Sequence, residues 1–140
     1  KMAFGSYNRG FKPARTEFDW LTRDKAMVDA YIREPRCQFV FTLNGYYELF
    51  KGIGVISSMK NIRKMPKDLP VLFVSGDADP VGHNGDGVQK VYDMFVSAGV
   101  DDIEMILYEG ARHEIINEMN RDEVYHDLYD WLNEEISWRS

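Results

Sequence analysis

The sequence predicts an α/β fold, with parallel strands joined by crossover helices and a helical segment ahead of them. Two observations carry this. From Leu69 onward, short apolar runs alternate with segments of helical period: "VLFV" (Val71 to Val74), then Val88, Val91, Tyr92 and Phe95, then "IEMILY" (Ile103 to Tyr108), then Val124, Leu128, Trp131, Leu132 and Ile136. Strand, helix, strand, helix with a crossover of this length places two strands in parallel with a right-handed connection. From Lys1 to Met65 the pattern is instead aromatic, irregular and helical in short pieces. The chain therefore divides into 1–65, a helical segment, and 66–140, an α/β portion.

Each element has a local reason. Thr22 is placed to cap a helix through "RDKAMVDAYIRE", which Pro35 stops. "CQFVFTL" reads equally as a strand or as an extended lead into the next helix. "NGYYELFKGIGVISSMKNI" reads as one helix, with Tyr46, Phe50 and Ile53 sharing a face. Gly87 to Ala98 is an amphipathic helix ended by Gly99. "GARHEIINE" is a loop, and Arg121 to Ile136 is the last helix. A parallel sheet is buried on both faces, and two or three strands cannot build one alone. The expectation is that this chain is the C-terminal part of a larger α/β protein, and "KMAFGSYN" does not look like a natural start.

Composition narrows the partners. A net charge of −6 argues against a nucleic-acid partner, which needs a basic stripe. The basic residues between Lys51 and Lys67 read as a solvated face. The single cysteine, Cys37, excludes an internal disulfide and fits a reducing, cytoplasmic compartment. No apolar run approaches the roughly 18 residues of a membrane span.

The segment "VLFVSGDADPVG" brings Asp77 and Asp79 to a turn at the end of a strand, and three chemistries could use them. A calcium loop fails, because Val81 and Val88 stand where ligating oxygens are needed. A phosphate-accepting aspartate needs a lysine on a later strand, and none follows. "HEIIN" puts Asn117 where a zinc motif needs its second histidine, so no metal is expected. A triad acid fits better. It lies at a strand's C-terminal end, and the imidazole comes from another loop on the same rim. His113, shortly after the next parallel strand, is so placed relative to Asp79, while His83 and His126 suit solvated or packed roles. Asp77 directly follows the turn glycine and reads as a partner for backbone N–H groups.

At these residues "LPVLFVSGDADPVG" and "YEGARHEIINE" resemble the acid and histidine segments of the serine α/β-hydrolases grouped with monoacylglycerol lipases and bacterial lysophospholipases. "TEFDWLTRD" and "VDAYIREPRCQFVFT" are similar to the cap of bacterial members. The resemblance implies the C-terminal portion of an α/β-hydrolase fold, with Asp79 as triad acid and His113 as base. It further implies cleavage of lipid carboxylic esters by acyl transfer, with no cofactor. Phe18, Trp20, Phe39, Phe41, Tyr46 and Phe50 are its candidates to line the acyl pocket, each also open to plain packing. The departure is the nucleophile. No serine here sits in G-x-S-x-G, and the oxyanion segment is absent. The implied partners are a lipid ester and either the missing N-terminal half or a second copy at the exposed sheet edge. An aspartate-nucleophile relative (a dehalogenase or epoxide hydrolase) and a noncatalytic ligand-binding relative stay open.

Overall fold

The structure, a computed structural model, describes residues 6–37 and 39–139. Two strands, β1 (Val71–Gly76) and β2 (Ile103–Tyr108), pair in parallel, with Val71 opposite Ile103 and Gly76 opposite Tyr108. The described residues also form five α-helices: α1 (Lys25–Arg33), α2 (Leu43–Ile56), α3 (Met59–Ile62), α4 (Asp86–Ser97) and α5 (Arg121–Arg139).

The alternation of side chains across β1 decides what packs where. Phe73 turns to α4, its ring centroid 5.1 Å from Phe95 and 6.3 Å from Tyr92, both edge-on. Val74, with Ile106 and Tyr108 of β2, turns to the other face and packs with Ala111, Val124 and Leu128. α4 starts from Gly85 in the left-handed region (φ 92°) and ends where Gly99 (φ 82°) reverses the chain, conformations that glycine reaches at low cost.

The structure departs from the sequence expectations at the cap of α1 and in the helix from Asn44, and it decides between the two readings of "CQFVFTL". Asp24, not Thr22, caps α1, accepting from the N–H groups of Ala26 and Met27. Thr22 is buried and bonded elsewhere. Within "CQFVFTL", Cys37 closes a 3₁₀ turn and residues 39–42 form no strand, while Gln38 lies outside the described residues. The long helix from Asn44 divides into α2 and α3. Ser57 Oγ donates to the carbonyl of Ile53, and Ser58 caps α3 by accepting from Asn61 N–H, so two serines that compete for backbone groups make the break. On α5, Leu132 and Ile136 are 52% and 66% exposed although Val124 is fully buried. A two-stranded sheet is too narrow to cover a helix of 19 residues.

Candidate active site

Both candidate side chains stand on the rim where the parallel strands end. β1 delivers Asp79 through a tight turn, and Gly76 is the residue that lets the second loop approach. A Cβ there would lie 2.0 Å from the carbonyl oxygen of Ala111 and 2.6 Å from that of Arg112, so the loop carrying His113 crosses directly over the end of β1. Three hydrogen bonds join the two strand ends: Asp77 N–H to Tyr108 O, Ala78 N–H to Ala111 O, and Gly110 N–H to Asp77 Oδ1 at 2.7 Å. The Asp77 side chain is thus spent on backbone.

Asp79 is 6% exposed and its two oxygens are divided. Oδ1 accepts from Val81 N–H at 2.8 Å, which fixes the carboxylate, and Oδ2 faces His113 Nδ1 at 3.0 Å. The hydrogen bond to Asp79 is the largest influence on His113 and holds the imidazole above its ordinary range. Burial pulls it down, and the charges of Asp79 and Glu114 add to the upward side. The histidine keeps 39% of its side chain open. A fixed, buried carboxylate on Nδ1 and an accessible remainder of the ring suit an imidazole that takes and returns a proton through Nε2.

The predicted aromatic set splits. Trp20, 7% exposed, lies between Tyr7 and His113, with ring centroids at 5.1 and 5.2 Å. Phe18 packs on Tyr31. Phe39, Phe41, Tyr46 and Phe50 form a ladder of neighbouring rings on α2 and the segment before it. Trp20 is therefore the member of the set that the structure brings to the Asp79–His113 pair. An open hollow of about 360 Å³ lies beside the acid's loop, between β1 and α4, lined by Phe73, Ser75, Val81, Val88 and Val91 among others. On the opposite rim Asp102, Glu104 and Glu135 bring carboxylate oxygens within 4.8 Å of one another. They are exposed or half-buried, and Glu104 already accepts from Trp131. Among the described residues no helix is long and apolar enough to cross a membrane.

Sequence reasoning missed the support of the histidine loop. Residues 19 to 24 run along it in ascending order. Arg112 Nη1 donates to Asp19 O, His113 N–H to Trp20 O (3.4 Å), and Glu114 N–H to Leu21 O (2.8 Å). Thr22 Oγ1 donates to Asn117 O, Arg23 Nε to Glu118 Oε2, and Arg121 Nη1 to Asp24 Oδ2. Arg112 also lies over the ring of Phe11, 4.0 Å from its centroid. The one signal available in the sequence was opposite charge, far apart in the chain and unranked among many such pairs.

A rim acid and imidazole at the ends of parallel strands, with a helix crossing over between them, define an α/β-hydrolase fold, here with two of its strands among the described residues. The family model described as "Serine aminopeptidase, S33" (Hydrolase_4) matches residues 3–120, and the chain belongs to that family. Among solved structures it is similar to a highly thermostable carboxyl esterase from Bacillus coagulans, crystallised with glycerol, at 28% identity and a TM-score of 0.84. The match covers 93% of this chain and 43% of that one. It is also similar to a lipase in its open form, at 25% identity and a TM-score of 0.71, over 91% of this chain and 43% of the lipase. The chain thus spans less than half the length of these structures. No curated protein matches it.

Proposed function

We propose that this chain supplies the cap (1–65) and the acid-and-base portion of the core (66–140) of a serine hydrolase that cleaves carboxylic esters of lipids, lysophospholipids or monoacylglycerols. An upstream portion supplies the nucleophile and oxyanion donors. The observation that carries the reading is the 3.0 Å approach of His113 Nδ1 to Asp79 Oδ2, with the other oxygen of Asp79 held by Val81 N–H. In the mechanism His113 takes the proton of the attacking serine and gives it to the leaving alcohol, while Asp79 holds the imidazole tautomer and stabilises the imidazolium. The esterase and lipase resemblance favours an ester over the peptide bond of the family's description. The aromatic ladder on α2 gives an acyl chain apolar surface. A cytoplasmic location is part of the same reading and rests on the lone Cys37.

The partner it requires is supported by what the fold leaves open. β1 and β2 each keep one edge without a strand partner among the described residues, and Leu132 and Ile136 of α5 stay more than half exposed. Unpaired edges and bare apolar faces recruit a partner or associate.

The test is a fluorophosphonate probe and p-nitrophenyl esters, applied to the 140 residues alone and joined to the upstream portion. The chain alone should hydrolyse no ester above background, since a base without nucleophile and oxyanion donors has no acyl-enzyme route. The joined protein should label and turn over, and His113→Ala should abolish turnover. Esterase activity of the isolated chain as a monodisperse monomer would overturn the reading. Unlabelled protein with dehalogenase or epoxide hydrolase activity would replace it with an aspartate-nucleophile enzyme. Ligand binding without labelling or turnover would make it a noncatalytic relative, and faster cleavage of aminoacyl p-nitroanilides would make it a peptidase.

A further inference from the structure

Among the described residues Glu118 is the largest fully buried side chain, at 0% exposure, and the acid–base chemistry above does not use it. Its carboxylate is saturated from both sides. Oε1 accepts from Arg23 N–H at 3.0 Å and from Arg112 N–H at 2.9 Å. Oε2 accepts from Arg23 Nε at 2.9 Å and from Met119 N–H at 3.0 Å. Burial alone would push this carboxyl up, but the Arg23 side chain and the N–H groups of Arg112, Met119 and Arg23 outweigh it and hold the group below its usual range. The charged form is the one the site is built for.

Apart from the adjacent Met119, those donors come from two places far apart in sequence. Arg112 immediately precedes His113, and Arg23 belongs to the segment that carries Trp20 onto the imidazole. Arg23 continues past the carboxylate to Asn120 Oδ1 at 2.7 Å and to the carbonyl of Glu109 at 3.4 Å, so one guanidinium spans the histidine loop from one end to the other. Gly110 makes room for it: its left-handed backbone (φ 65°) puts a would-be Cβ 3.0 Å from Arg23 Nη1. The result is a ring of contacts around His113. Asp79 holds its Nδ1, Trp20 lies against its ring and accepts its backbone N–H, and Glu118 joins the residues before it and across from it.

We propose that Glu118 is a positioning residue for His113: its buried carboxylate locks the 19–24 segment to the histidine loop, so that the imidazole stays on Asp79 and against Trp20. The inference rests on the reading of His113 as the base. It also ties the cap side of the molecule to the proton-transferring group, because a displacement of residues 19–24 displaces the loop.

The experiment uses the joined protein with isotope-labelled histidine and follows the His113 ring by NMR titration, with no substrate present. In Glu118→Gln the side chain keeps its shape but turns an amide NH₂ toward N–H donors. The midpoint of His113 should then fall toward the ordinary histidine value as the Asp79 bond loosens, and kcat for a short p-nitrophenyl ester should drop on the order of 10²-fold at nearly constant KM. Arg23→Gln, which removes the counter-charge but keeps a donor, should move both readouts the same way by less, and it serves if Glu118→Gln does not fold. An unchanged His113 midpoint in either folded variant, with only the melting temperature lowered, overturns the proposal even in an active esterase. A shifted midpoint in a protein whose wild type shows no ester turnover supports the lock and overturns only the ester-hydrolase reading.

Discussion

Two segments of the first half meet opposite fates. Residues 19–24 carry few apolar side chains, yet Trp20, Leu21 and Thr22 are buried and every residue from Asp19 to Asp24 bonds to the histidine loop or the start of α5. α2 has two charged residues, Glu48 and Lys51, and is apolar almost all round, yet no residue of it is buried. Hydrophobicity therefore does not rank these segments by order. Satisfied backbone and charged partners at a specific address secure the first, whereas the second is apolar surface that the described residues leave uncovered.

The comparison breaks most visibly at the pair that residues 19–24 support. Asp79→Asn in the joined protein should cut ester turnover by on the order of 10⁴-fold, the effect of losing the tautomer-fixing acid. Asp77→Asn, which weakens the bond from Gly110 N–H, should act on the melting temperature with turnover kept within about tenfold. The reverse pattern in kcat/KM would move the acid to Asp77.

Next in size are the packing changes. Gly76→Ala pushes a methyl into the backbone of Ala111, and the loop must leave its place on β1 to admit it. Denaturant melts should show a loss of about 3 kcal/mol or more, at or above the usual range for overpacking. Trp20→Ala should cost about 3 kcal/mol, as for other buried aromatics, and should reduce turnover because the indole backs His113. A Trp20 variant of unchanged stability and rate would remove residues 19–24 from the supporting role.

Smaller shifts come from pH. Asp79 raises His113 above the ordinary histidine value of 6.5, so the charged pair stabilises the fold fully below the unfolded histidine value, and this contribution is lost as pH rises through the folded one. Turnover runs the other way, since the base must be neutral. The acid limb of kcat/KM should therefore lie above 6.5, and any residual activity of Asp79→Asn should have its limb lower. A limb that stays put would show that Asp79 does not set the titration. The smallest effect belongs to α2. Phe50→Ser should change stability by less than about 0.5 kcal/mol, as for an exposed site, while reducing self-association of the isolated chain on size-exclusion chromatography.

What the sequence determined by itself was everything with a local period or a local motif. The strands, α4 and α5 follow from apolar spacing, Gly99 from the helix it ends, and the segments around Asp79 and His113 from short motifs at strand ends. The fold class was legible for the same reason, since strand–helix–strand order forces parallel pairing. What only tertiary structure decided involved residues distant in the chain: the buried Glu118 with its arginine 95 positions away, Trp20 beside His113, and the closeness of Ala111 that makes Gly76 a necessity. Periodicity reports what one segment does with its own neighbours. A charge or an indole carries no mark of which distant partner will desolvate with it, and that choice exists only once the chain has folded back.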